Sequence, residues 1–234
     1  MDTILKIFNS SIGRKTVMAL SGLFLCIFLL EHLYTNLHLF FGDGGLAFNE
    51  ASHTMVHSIL IRVVEIVLFL AIIVHVGQAI NLTGLNNSAR PIKYQVSGVA
   101  ETSNWFSRNM LFTGSLILFF IVVHLYNFFV PYRITHTVGG PEQDTVAVLV
   151  VEALGNPLYA GLYLASVILM AMHLNHGFQS AFQTLGLNNK KYAPLLKMAG
   201  TGFALLNGVG FAAFPVLFYI SKIAGWNLLY WNLN

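Results

Sequence analysis

Apolar residues along this chain gather into five long runs, at roughly 16–41, 57–82, 107–131, 157–184 and 201–221, with boundaries uncertain by ~2–4 residues. Each run meets the ~20-residue length that a bilayer's hydrocarbon core demands of a spanning helix. Between them stand breakers: Gly42-Asp43-Gly44-Gly45, Gly84-Leu85-Asn86-Asn87, Gly139-Gly140-Pro141 and Gly186-Leu187-Asn188-Asn189. The repeated Gly-Leu-Asn-Asn predicts that spans two and four end alike, at a glycine stop. Residues 1–13, with Ile4, Leu5, Ile7, Phe8 and Ile12, are mildly amphipathic and read either as a helix lying on the membrane or as a frayed terminus. The pattern predicts an all-α fold: a membrane bundle of five transmembrane helices, in one domain over 1–234.

Composition agrees. The 234 residues are 56% hydrophobic and only 9% charged, with mean hydropathy +0.69, against ~25% charged residues in a typical soluble protein. At 25.9 kDa, five helices and their connections leave no room for a soluble domain. Cys26 is the one cysteine and lies within an apolar run, which excludes disulfides and thiolate metal clusters. Arg14-Lys15 precedes a run too long for the core of a cleaved signal.

Charge sets the expected orientation. Lys6, Arg14, Lys15, Arg90, Lys93, Arg108, Lys190, Lys191 and Lys197, nine of the twelve cationic residues, fall on one side. Arg62, Arg133 and Lys222 fall on the other, together with Asp43, Glu50, Glu142, Asp144 and Glu152. The positive-inside rule then puts the N-terminus in the cytoplasm. Because the basic residues sit in short connections, the pI near 9.0 does not point to nucleic acid.

Within the spans one pattern recurs. Ser21-Gly22 precedes His32-Leu33-Tyr34 by the same interval at which Thr113-Gly114 precedes His124-Leu125-Tyr126. Intramembrane ionisable residues are costly and are functional candidates by default. Five of the nine histidines lie inside spans: His32, His75, His124, His173 and His176. At ~1.5 Å per residue, His32 and His124 lie ~24 Å above the cytoplasmic helix starts, and the other three ~10–17 Å up. Two outer histidines on spans one and three thus match inner histidines on spans two and four. The expectation is two bis-imidazole sites, which suit haem b with its two axial imidazoles. Zinc would want three or four clustered ligands, and the spans hold only Glu31 and Glu65 as acids. Small residues such as Gly22, Gly114 and Ala171 can open a slot between helices. A hydrogen bond between helices is the plain alternative for any single histidine, and a proton relay the alternative for the set.

These residues resemble a known family. Ser21-Gly22-Leu23-Phe24-Leu25 leading to Glu31-His32-Leu33, Ala47-Phe48-Asn49 with His53, Val122-Val123-His124-Leu125, and His173 four residues before Gly177 are similar to stretches of the single-chain, five-helix, di-haem cytochrome b anchor of succinate dehydrogenases and fumarate reductases, the type B complex II of menaquinone-using prokaryotes. The resemblance covers about residues 12–220. It implies that His32 and His124 ligate an outer haem and that His75 and His173 ligate an inner one. The Gly-Leu-Asn-Asn comparison within the chain would favour His176 instead, whereas the family pattern favours His173. The resemblance further implies iron–sulfur and flavoprotein subunits as partners, a quinone (menaquinone in this family) as electron exchanger near the outer surface, and a place in a prokaryotic cytoplasmic membrane. Some fumarate reductases of the family carry a glutamate two residues before the span-four ligand for transmembrane proton transfer; here that position is Ala171, which puts that route in doubt.

Other residues have two readings each. Glu31 is a quinone-site candidate or hydrogen-bonds to a neighbouring helix or a haem propionate; His38, Glu50 and His53 are quinone-site candidates near the outer surface, although exposed histidines are usually just solvated, and His57 belongs with them. Arg62 and Glu65 form a plain helical pair or serve haem propionates through Arg62. Arg14, Lys15, Arg90, Lys93 and Arg108 obey the positive-inside rule and also make a cationic dock for an iron–sulfur subunit. Trp105, Trp226 and Trp231 fit interfacial anchors. Phe119, Phe120, Phe128 and Phe129 read as packing or lipid-facing residues. Two rival functions stay open: a di-haem cytochrome b of a hydrogenase or formate dehydrogenase, and a proton-coupled transporter relaying through histidines.

Overall fold

A computed structural model describes residues 10–89, 108–138, 145–187 and 189–230. Ile4, Leu5, Ile7, Phe8, Lys6, Arg90, Lys93, Trp105, Trp231 and Gly139-Gly140-Pro141 lie outside the described residues, with the expectations placed on them.

Among the described residues the chain is mostly helical, with short turns and no strand. Helix α1 covers Ser11–Leu37 and tightens into a 3₁₀ turn at His38–Phe40. Then come α2 (Leu46–His57), α3 (Ile59–Ser88), α4 (Met110–His124), α5 (Val146–Leu154), α6 (Pro157–Thr184) and α7 (Ala193–Ala224), with a closing 3₁₀ turn at Leu228–Tyr230. Five helices are long and apolar enough to cross a membrane: Ser11–Phe40, Ile59–Ser88, Met110–Ile134, Pro157–Thr184 and Ala193–Ala224. These are the five expected spans of a multi-pass membrane protein. Helix α3 has no buried residue and shows Val63, Ile66, Leu70 and Ile73 on its surface. A helix apolar on all sides with so little buried inside the protein has lipid as its solvent.

The structure corrects or extends the sequence reading at three places. Gly84 does not stop span two, because α3 continues through it to Ser88. Gly186 does act as a stop: it takes φ +79°, the left-handed conformation that costs an L side chain most. The two Gly-Leu-Asn-Asn copies therefore differ, because one falls where helical hydrogen bonding still continues. Second, the connections after spans one and three contain helices α2 and α5, on which the sequence reading was silent. Third, span three does not stay α-helical. At His124 it passes into a π-helix over Leu125–Ile134, with Pro131 inside it. Proline cannot donate its backbone N–H, so the wider hydrogen-bond pattern surrounds the residue that would break an α-helix.

The chain forms two compact units, each with contributions from several spans. One comprises 1–28, 66–115 and 171–204; the other comprises 29–65, 116–170 and 205–234. In the first, Asn175 of α6 accepts hydrogen bonds from Gln179 (2.9 Å) and from Thr201 of α7 (3.1 Å). Phe178 stacks on Phe203 nearby, with ring centroids 5.3 Å apart.

The second unit holds an aromatic core. Phe40 stacks on Phe214 at 4.7 Å with planes 4° apart, and Phe218 beside them is fully buried. The α1–α7 approach is close, since a Cβ on Gly210 would lie 2.8 Å from Leu33 Cδ2. Asp43 accepts from the backbone N–H groups of Gly45 and Ala47, both at 2.9 Å, and so satisfies donors at the start of α2. Asn49 accepts from the Ala147 N–H at 3.0 Å and fastens α2 to the first turn of α5. Gly45 is required there: its φ is +84°, and a Cβ would lie 2.5 Å from that of Ala147.

Candidate functional site

Each unit contains one pair of facing histidines. In the first unit, His75 of α3 faces His173 of α6, with ring centroids 6.4 Å apart and planes 66° apart. In the second, His32 of α1 faces His124 at the end of α4, with centroids 5.7 Å apart and planes 89° apart. Two imidazoles on opposite sides of one metal, with bonds of ~2 Å and ring centres ~1 Å behind the nitrogens, would have centroids ~6 Å apart, against ~5 Å in a tetrahedral site. Both pairs fall nearer the first separation. Among the described residues no group of three or more His, Cys, Asp or Glu could hold a metal ion; each pair brings together two imidazoles.

Around the first pair, the Ser21-Gly22 and Thr113-Gly114 repeats take matching places. A Cβ on Gly22 would lie 3.1 Å from His75 Cε1, and one on Gly114 would lie 3.6 Å from His173 Cε1. Each glycine therefore backs one imidazole. Ser21 Oγ is 3.3 Å from His75 Nδ1. Thr113 is buried and donates its hydroxyl to the carbonyls of Asn109 (3.2 Å) and Met110 (3.1 Å) instead. His173 Nδ1 is buried and has no hydrogen-bond partner among the described residues. His176, one turn further along α6, is half-buried, and the ring that meets His75 belongs to His173.

An aromatic wall encloses the second pair. Phe211 of α7 lies against His32 at 5.7 Å, while Phe120 and Phe128 lie 5.8 Å and 5.2 Å from His124. Tyr163 of α6 is buried, and its hydroxyl sits 3.4 Å from His124 Nδ1 and 3.4 Å from Asn127 Nδ2. Buried tyrosines ordinarily find such a partner for the O–H. Neither Tyr163 nor Asn127 emerges from sequence reasoning; the only signals were polar tips inside apolar runs. Phe120 and Phe128 are packing residues on His124, whereas Phe119 is 60% exposed.

No protein-family model, curated protein or solved structure matches this chain.

The four quinone-site candidates are not brought together by a hydrogen bond or ring contact with one another. Glu31 is exposed and accepts from Thr35 Oγ1 at 2.8 Å. His38 packs between Tyr34 (5.1 Å) and Phe41 (4.9 Å). Glu50 is exposed on α2, and His53 lies against His57 at 4.1 Å with planes 44° apart, both rings on the surface. Arg62 does pair with Glu65, at 3.4 Å. The structure adds Arg133, whose Nε lies 3.5 Å from the other Glu65 oxygen and whose side chain is only 9% exposed. One carboxylate thus faces two guanidinium groups. Trp226 is 68% exposed, as an interfacial anchor would be.

Proposed function

We propose that this chain is a di-haem cytochrome b that anchors a succinate:quinone oxidoreductase in a prokaryotic cytoplasmic membrane, with its N-terminus in the cytoplasm. The observation that carries the proposal is the pair of cross-helix imidazole contacts, His75–His173 and His32–His124, each spaced for one shared metal. Two ligands per site, in apolar surroundings and without acids or thiolates, fit haem b better than any bare ion.

In this reading His75 and His173 hold one haem b, and His32 and His124 hold the other. A haem b so ligated supplies one-electron transfer. The protein's own work is to fix ring orientation and exclude water. Gly22 and Gly114 leave room beside the first pair of rings. Phe120, Phe128, Phe211 and Tyr163 surround the second pair with apolar surface. Exchange with an iron–sulfur subunit falls to the His75–His173 side, and exchange with a quinone, menaquinone by resemblance, to the His32–His124 side. Succinate oxidation or fumarate reduction belongs to a flavoprotein subunit, since this chain has neither a nucleotide fingerprint nor a cysteine cluster.

The test is purification of the intact complex with haem and subunit stoichiometry. A haem b signal in the reduced-minus-oxidised spectrum, two haems per chain and a covalent-flavin subunit are expected. Absence of haem b would end the electron-carrier reading in favour of a histidine relay. Co-purification with a hydrogenase or formate dehydrogenase would reassign the partner.

A further inference from the structure

Ser21 and Gly22 meet the His75 ring at two adjacent atoms. The hydroxyl of Ser21 lies 3.1 Å from the Met18 carbonyl oxygen and 3.3 Å from His75 Nδ1, and the bare Cα of Gly22 faces Cε1. A serine hydroxyl has one proton to give. A carbonyl only accepts, and the Met18 carbonyl faces both the Ser21 hydroxyl and the His75 ring, so the imidazole proton is assigned to Nδ1, held between Ser21 Oγ and that carbonyl. That assignment leaves the Nε2 lone pair of His75 free for a metal. The same repeat on α4 makes only half of this arrangement. Gly114 backs His173 Cε1, but the Thr113 hydroxyl is turned to the carbonyls of its own helix, and His173 Nδ1 is left without a partner among the described residues. One imidazole of the pair is polarised through its rear nitrogen and the other is not.

We infer that Ser21 is a positioning residue for His75: its hydroxyl, beside the Met18 carbonyl, holds the imidazole tautomer and ring orientation and makes Nε2 the stronger donor of the pair. The inference rests on the di-haem reading. A ligating histidine whose Nδ1–H is held by an acceptor is oriented and more basic, and loss of such a partner commonly costs 10–100-fold in metal affinity or activity. A more basic axial nitrogen favours the ferric state, so removing the acceptor raises the midpoint potential of that haem.

The experiment compares Ser21→Ala, Ser21→Thr and Thr113→Ala in the intact membrane complex, by potentiometric titration and by electron paramagnetic resonance of the oxidised haems. Ser21→Ala is expected to shift the redox equilibrium of the His75–His173 haem by about tenfold towards the reduced form, about 59 mV for one electron. Its low-spin ferric signal should change, while the other haem keeps its potential. Ser21→Thr restores both properties, and Thr113→Ala leaves both unchanged. Loss of that one haem from Ser21→Ala, recovered in Ser21→Thr, supports the inference equally. Ser21→Ala with unaltered potentials and spectra overturns it, as does identical behaviour of Ser21→Ala and Thr113→Ala. Failure of the underlying reading shows separately, as absence of haem from the unsubstituted protein.

Discussion

His32 and His124 meet edge to face, with ring centroids 5.7 Å apart and planes 89° apart. His75 and His173 lie at 6.4 Å and 66°. If each pair held a haem b as proposed, the more nearly perpendicular rings of His32 and His124 would give the more anisotropic low-spin ferric signal. With two haems bound, the oxidised protein should give two distinguishable low-spin signals. The more anisotropic one should vanish in His32→Ala. Electron paramagnetic resonance on the oxidised complex checks this, and two identical signals would contradict the difference in ring angles.

Each pair should behave as a unit. His32→Ala and His124→Ala are expected to remove the same haem, and His75→Ala and His173→Ala the other, halving the pyridine haemochrome content each time. His176→Ala should keep both, because the ring facing His75 is His173. Loss of a haem from His176→Ala but not from His173→Ala would reassign the ligand on α6.

The glycines behind the rings should differ in tolerance. A methyl on Gly22 would come within 3.1 Å of His75 Cε1, tighter than ordinary contact, whereas one on Gly114 would meet His173 Cε1 at 3.6 Å. Gly22→Ala should therefore displace the His75 ring and alter the haem spectrum, and Gly114→Ala should be nearly silent. Visible spectra of the two variants, recorded side by side, are the check.

Glu65 holds a buried partner and an exposed one. Removing its charge in Glu65→Gln leaves Arg133 uncompensated in apolar surroundings, and breaking a buried pair in this way costs ~3–5 kcal/mol. Arg62 is half exposed, and such surface pairs are worth ~0–1 kcal/mol. Thermal unfolding in detergent should show a large fall for Glu65→Gln and almost none for Arg62→Gln. Equal effects would place the weight of the cluster elsewhere.

The α2–α5 junction has its own weak point. Gly45→Ala forces an L side chain into φ +84° and against Ala147; backbone strain of this kind alone costs ~1–3 kcal/mol. Asn49→Ala strands the Ala147 N–H that it now satisfies, at ~1–3 kcal/mol. Limited proteolysis between spans should rise in both variants.

By itself the sequence determined whatever depends on distance along the chain. Run length and the near absence of charge specify five spans, because lipid admits only segments that satisfy their own backbone hydrogen bonds. Helical rise is constant, so spacing also separates His32 and His124 from His75 and His173 and aligns the Ser/Thr-Gly repeat with the second set. Direction around the helix axis is another matter. In an apolar span every face is hydrophobic, and no amphipathic stripe shows which side meets protein. Packing alone therefore turned His173 rather than His176 towards His75, brought Tyr163 to His124, and gave Ser21 a histidine to hold while Thr113 kept its hydroxyl for its own helix. Helices α2 and α5 and the π-helix after His124 were hidden for a related reason. Short elements are stabilised by tertiary contacts such as Asn49 to Ala147 more than by their own residues, and a proline inside an apolar run signals a break without saying how the backbone accommodates it.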